Sequence, residues 1–237
     1  HRAPEFDKVF AEVRDGLKWL FQTKSNVLML AASGTGGMEG AVSNFLSAGD
    51  KALTINGGKF GERWTKLWKR FGAEVTEIKL EWGRAVSPQA VADALKKDPG
   101  IKAVYVQASE TSTGVAHGVK ALAEIVRPYS DTILVVDAIT ALGVFEIKTD
   151  EWGVDVVVTG SQKALMLPPG LAFVSVSDKA WKLAEKVKNT AFYFNFKKEQ
   201  ENQLKNQTAY TPAVSLIVGL QEVLKMMKVE GLAGLFG

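Results

Sequence analysis

The chain has 237 residues, of which 46% are hydrophobic and 23% charged, enough for one large domain or two small ones with a substantial buried core. Its 29 basic and 26 acidic residues leave a formal charge of only +3, which gives no reason to invoke nucleic acid or an anionic membrane. With no cysteine and only two histidines, His1 and His117, a thiolate or histidine-rich metal centre, a disulfide framework and a His-based triad are not expected. No apolar run is long enough to span a bilayer and no signal peptide opens the chain, so a soluble cytoplasmic protein is expected.

In chain order, Phe6, Val9, Phe10, Val13, Leu17 and Leu20 recur at helical spacing and predict a helix over Phe6–Phe21. Val27–Ala31 predicts a strand, followed by the glycine-rich turn Ser33-Gly34-Thr35-Gly36-Gly37 and a helix over Met38–Leu46. Strand Ala52–Ile55 leads to helix Gly61–Phe71, which places Trp64, Leu67, Trp68 and Phe71 on one side. After strand Glu74–Lys79, Ser87-Pro88 predicts a serine cap and a proline-started helix running through Lys96. Strand Ala103–Gln107, a hydroxyl-rich loop Ser109–Gly114, helix Val119–Tyr129 and strands Ile133–Asp137, Val154–Thr159 and Leu171–Val176 follow. Val214–Lys228 closes the pattern as a helix.

Several of these strands are nearly all apolar, as strands covered on both faces are. The alternation with helices predicts an α/β fold: a mostly parallel, seven-stranded sheet with helices on both faces. Residues 1–237 read as one large domain, with an N-terminal helical part (1–25), a sheet core (26–188) and an interface segment and helix (189–237). Both ends read as cut, so a longer parent chain is expected.

In such folds ligands bind beyond the carboxyl ends of the strands, and four loops there carry unusual residues. Ser33–Gly37 can cradle a phosphate through free amides and the positive helix end, or can simply be a tight turn. Asp137 ends an apolar strand and suits either a counter-ion for a protonated ring nitrogen or a structural cap. Lys163 lies between two apolar runs; it is either a surface charge or a desolvated amine able to form a Schiff base. Ser109–Gly114 is an ordinary polar turn or a set of hydroxyl donors. Together, an anion site, a strand-end acid and an imine-forming lysine match what pyridoxal 5′-phosphate (PLP) requires.

The stretches His1-Arg2-x-Pro4-Glu5-Phe6, Ser33-Gly34-Thr35-Gly36-x-Met38-Glu39, Phe60-Gly61-Glu62-Arg63, Glu110–Gly114, Val136-Asp137-Ala138 and Gly160-Ser161-Gln162-Lys163-Ala164-x-x-x-Pro168-Pro169-Gly170 carry a resemblance along nearly the whole chain. It resembles the class V, fold type I PLP-dependent aminotransferases, in the alanine/serine–glyoxylate (serine–pyruvate) branch. The resemblance implies that Lys163 forms the Schiff base with PLP and moves the substrate proton, while Asp137 pairs with the pyridinium nitrogen. It further implies that Ser33, Gly34, Thr35 and Gln162 hold the phosphate, Phe60 stacks on the ring and Ile139 packs on the opposite face. Ser112 or Thr111 would bond the phenolic oxygen. As the family forms homodimers with sites at the subunit interface, Thr208 and Thr211 would reach the neighbour's phosphate. The implied substrates are a small amino acid, alanine or serine, and a 2-oxo acid such as glyoxylate or pyruvate. The family's carboxylate-binding arginine belongs to a C-terminal small domain expected beyond Gly237; neither Arg2 nor Arg63 matches it. The alternatives are another fold type I PLP enzyme (a phosphoserine aminotransferase, cysteine desulfurase or lyase), or a non-catalytic phosphate- or nucleotide-binding subunit of the same fold.

Overall fold

The computed structural model describes residues 3–188 and 191–237; His1 and Arg2, the start of the first family motif, lie outside them. In chain order the elements are α1 (Pro4–Phe21), β1 (Val27–Ala32), α2 (Gly34–Ser43), β2 (Lys51–Asn56), α3 (Lys59–Phe71) and β3 (Glu74–Lys79). Then come α4 (Pro88–Lys97), β4 (Ile101–Gln107), the short β5 (Ser109–Glu110) and β6 (Val115–Ala116), α5 (Val119–Val126) and β7 (Ile133–Asp137). The single turn α6 (Thr149–Trp152), β8 (Val156–Gly160), β9 (Gly170–Val176), α7 (Asp178–Ala184), α8 (Phe196–Gln203) and α9 (Val214–Phe236) complete the chain.

Seven strands form one sheet in the order β1-β9-β8-β7-β4-β2-β3. Only β9 runs against its neighbours, pairing antiparallel with both β1 and β8. The central strands are largely apolar because successive side chains feed opposite faces and both faces are covered, whereas the edge strand β3 is mostly polar and only partly buried. In β4, Val104 and Val106 join the layer of Phe10, Leu17, Leu122 and Leu220, while Ala103 and Tyr105 join that of Met38, Trp64, Trp68 and Phe196. The β1 edge is covered from the side: the Gln203 amide donates to the Met29 carbonyl at 2.8 Å and accepts the Met29 N–H at 3.1 Å. A side-chain amide thus pairs the strand edge as another backbone would.

Several boundaries differ from the sequence expectation. The helix expected from Met38 starts at Gly34 and ends at Ser43. Glycine is a poor helix former, yet a Cβ at Gly34 would lie 2.5 Å from Ile139 Cδ1, and one at Gly40 2.5 Å from Phe196 Cε1. Close packing against two other elements outweighs propensity here. The helix after Ser87 begins as expected, but the serine side chain makes no capping bond; its carbonyl accepts the Ala90 N–H instead. Helix α5 stops at Val126 rather than Tyr129, because Pro128 lacks the N–H that would continue the ladder. Helix α9 continues past Lys228 to Phe236, kinked at Gly231, whose φ is 76°. Of the aromatic run Ala191–Phe196, Phe194 and Phe196 pack into the core beside α2, and Phe192 is exposed.

Candidate functional site

The carboxyl ends of β1, β2, β4, β7 and β8 lie at one edge of the sheet, and the loops that follow them converge on a cavity of about 140 Å³. Gly34 and Thr35 enter from the start of α2, and Phe60 and Arg63 from the first turns of α3. Ser109 and Thr111 come from the loop after β4, Asp137, Ile139 and Thr140 from the end of β7, and Gln162 and Lys163 from the turn after β8.

Each wall has a local cause. At the start of α2, the Ser33 carbonyl accepts the Gly36 and Gly37 N–H groups, while the Ser33 hydroxyl makes no capping bond. Among the described residues, the Gly34 and Thr35 N–H groups donate to no protein acceptor. They are free donors at the positive end of a helix, an arrangement that favours an anion.

Asp137 is 5% exposed and is held by its own strand end. Its carbonyl accepts the Ala108 N–H at 2.8 Å, and the next residue, Ala138, donates to Val158 at 2.8 Å. Its Oδ1 accepts the Ile139 N–H at 2.9 Å, and among the described residues no cation lies within ion-pairing distance. Burial pushes its carboxyl up to about 6, against the pull of the Ile139 N–H and the Arg63 charge and with a further push from Glu110.

The turn bearing Lys163 is pinned at its base by Ser161. The Ser161 hydroxyl donates to Pro168 O at 2.7 Å and accepts the Leu171 N–H at 3.2 Å. Past the lysine, Met166 adopts φ 53°, a left-handed conformation uncommon for a non-glycine residue and frequent at functional turns. Of the two readings left open for Lys163, the surface charge and the desolvated amine, the exposure favours the first, yet the residue stands on the cavity wall, because its turn projects beyond the two apolar strands that flank it.

The hydroxyl loop holds a second surprise. Glu110 is fully buried, and its carboxylate accepts the Phe60 N–H at 3.1 Å and the Gly61 N–H at 2.9 Å. It also accepts the Ser112 hydroxyl at 2.6 Å, and Ser112 Oγ in turn accepts the Lys59 N–H at 3.0 Å. The carboxylate therefore caps α3 from the side and fixes Phe60. It engages Ser112 in the same network, so of Ser112 and Thr111 it is Thr111 that lines the cavity.

The cavity thus collects Gly34, Thr35, Phe60, Thr111, Asp137, Ile139, Gln162 and Lys163 from the expected set, and adds Arg63, Ser109 and Thr140. Ser33 lies at its edge as an exposed helix cap. Thr208 and Thr211 are elsewhere: they line two other cavities of this chain with Tyr210 and Pro212, and neither cavity includes Lys163. Arg63 and Glu110 were missed because each acts across the fold. The signals were present in the sequence, as an arginine three residues after Phe60 and an acid opening the hydroxyl loop.

A doubly covered α/β sheet with an anion cradle, a buried acid and an amine meeting at its carboxyl edge defines a small-molecule site of the switch-point type. The family profile described as Aminotransferase class-V matches residues 1–234, and the chain belongs to that family. It is 45% identical over its whole length to a protein of Anabaena cylindrica named soluble hydrogenase 42 kDa subunit, and covers 62% of that protein. It is 35% identical, again over its whole length, to the L-aspartate–glyoxylate aminotransferase of Paracoccus denitrificans, of which it covers 61%. The crystal structure of an alanine–glyoxylate aminotransferase from Nostoc sp. superposes with a TM-score of 0.93 at 28% identity, over 99% of this chain and 63% of that one. The chain therefore spans about three-fifths of the length of these relatives.

The family implies PLP, and the residues present fit it. The unpartnered Gly34 and Thr35 N–H groups suit its phosphate, and the buried Asp137 lacks the cation that a ring nitrogen would supply. Gln162 lies on the same wall, where its amide N–H groups are the donors a phosphate oxygen would take, while its buried Oε1 is an acceptor with no partner among the described residues.

Proposed function

We propose that this chain carries the cofactor-binding half of a PLP-dependent aminotransferase site. The reaction moves an amino group between a small amino acid, alanine or serine, and a 2-oxo acid such as glyoxylate or pyruvate. One observation carries the reading: Lys163, Asp137 and the start of α2 line a single cavity. The glyoxylate aminotransferases among the relatives and solved structures support the choice of substrates.

When bound, PLP supplies an aldehyde that condenses with amines and a ring that takes up the electrons released at the substrate α-carbon. The chain's residues supply the rest. Gly34, Thr35 and Gln162 would hold the phosphate and set the ring's position, with Ser33 adding a hydroxyl at the rim. Phe60 and Ile139 would bound the two ring faces and exclude water from them. Asp137 would keep a proton on the ring nitrogen by sitting as its carboxylate counter-ion in a dry position. Thr111, or Ser112 on release from Glu110, would donate to the phenolic oxygen. Lys163 would present its amine to the aldehyde carbon and later carry the proton between the substrate α-carbon and the cofactor's C4′.

The test is spectroscopic. The purified protein mixed with PLP is expected to absorb near 420 nm, roughly where a protonated imine does, and borohydride should fix the cofactor to Lys163. Lys163→Ala should bind PLP without that band. A wild-type protein that takes up no PLP, or a band that survives in Lys163→Ala, would reject the reading. Donor profiling would then separate alanine and serine from phosphoserine or cysteine.

A further inference from the structure

Arg63 is a cavity residue that this mechanism leaves unused. It projects from α3 one turn after Phe60, and its guanidinium carbon lies 5.0 Å from the Phe60 ring centroid. Its Nη1 donates to Thr35 Oγ1 at 2.9 Å. Among the described residues that is its sole hydrogen bond, and no carboxylate comes within 4.0 Å of it. A guanidinium has five N–H donors in a planar fork that suits phosphate and carboxylate. Here a half-buried one is held by a hydroxyl and a ring, with its charge uncompensated.

The charge balance of the cavity points the same way. Its lining carries two cationic side chains, Arg63 and Lys163, and one carboxylate, Asp137. The free N–H groups at the start of α2 add further positive potential. Lys163 has a covalent role in the proposed chemistry, which leaves the anion cradle without a formal cation of its own. Arg63 is bonded to Thr35, whose backbone N–H belongs to that cradle.

We propose that Arg63 is the charge partner of a phosphate group held at the start of α2, so that the site selects a phosphorylated ligand. This rests on the PLP reading above and adds the residue that gives the site its preference for a phosphate. Phe60 fixes the plane of the guanidinium and Thr35 sets its reach. A free substrate carboxylate presents similar chemistry, but the tie to Thr35 puts the positive charge beside the cradle.

The experiment compares PLP with pyridoxal, the same ring without the phosphate, titrated into the full chain. In the wild type PLP is expected to bind much more tightly than pyridoxal. Arg63→Gln should weaken PLP by about ten- to a hundredfold, the loss expected of a charged hydrogen bond, and leave pyridoxal within about twofold. Arg63→Lys, which keeps the charge and loses the fork, should recover part of the preference. Inorganic phosphate should compete with PLP in the wild type and more weakly in Arg63→Gln. Equal weakening of PLP and pyridoxal would show that Arg63 only packs α3 against Phe60, and would overturn the proposal. An unchanged PLP affinity with a weakened competition by succinate would assign Arg63 to a carboxylate instead, and would overturn it too. Failure of the wild type to bind PLP at all rejects the PLP reading itself, which is a separate result.

Discussion

Asp137 is a carboxylate held where water is scarce, and that has a measurable consequence. Its native-state value of about 6 lies above the 3.8 of a free aspartate, so the folded chain binds the proton more tightly than the unfolded one. Stability from this group is therefore undiminished below about 3.8, falls as pH rises through the window and stays low above about 6. The full cost is on the order of 3 kcal/mol. Asp137→Asn removes the ionisation. In the cofactor-free protein the variant is expected to gain stability relative to wild type between pH 4 and pH 7, read from urea unfolding at each pH. PLP should reverse the comparison at pH 7, since its protonated ring nitrogen compensates the carboxylate and leaves the amide without that benefit. Parallel pH profiles for the two proteins would show that the Asp137 carboxyl is not perturbed by burial.

Among the elements, α3 depends most on a distant residue. Its first N–H groups would be orphaned without Glu110, since Gly58 has no side chain to cap them. The approach is so close that a Cβ on Gly58 would lie 2.5 Å from Ser112 Oγ and 2.6 Å from the Glu110 carboxyl carbon. Glu110→Ala removes a buried acceptor from two backbone N–H groups and a hydroxyl, which should cost about 2–4 kcal/mol in urea unfolding. The same variant should release Phe60 and blur the spectrum of bound PLP. A loss below about 0.5 kcal/mol, the scale of an ordinary surface change, would mean that the carboxylate does not hold the helix. The central strands were readable from the sequence because both their faces are covered, leaving unbroken apolar runs such as Ile133–Val136; the partly exposed edge strand β3 has no such run. The four glycines in α2 concealed its first turn, since their reason lies in Ile139, Val158 and Phe196 across the fold. Helices α7 and α8 escaped notice because they are short and largely polar. Their N-caps offered a signal: Ser177 Oγ accepts the Ala180 N–H and Asn195 Oδ1 the Lys198 N–H. Asp137 and Lys163 were legible as breaks in apolar strand patterns. The pairing of Glu110 with α3, and of Arg63 with Thr35, requires contacts 49 and 28 residues apart that no local pattern encodes.

For the molecule as a whole, the separation of Thr208 and Thr211 from the Lys163 cavity bears on assembly. If these threonines serve a phosphate, a second copy of the chain has to bring them to it. Phe192 at 83% exposure and Met166 at 65% are large apolar side chains of the kind a partner covers. A two-fold dimer with shared sites makes a prediction that a monomer cannot imitate. Thr208→Val with Thr211→Val should lower PLP affinity although both residues lie outside the Lys163 cavity of their own chain. Subunits of that variant keep Lys163, and Lys163→Ala subunits keep both threonines. In a mixed dimer one of the two sites receives Lys163 from one subunit and the threonines from the other, and is intact. With random assembly of equal amounts, about a quarter of all sites should recover the borohydride-reducible band at low PLP, because half the dimers are mixed and each holds one such site. If the threonines act within their own chain, every site in the mixture lacks one component and no tight band returns. Recovery on mixing would place the shared phosphate site at the two-fold interface; its absence would remove Thr208 and Thr211 from the site.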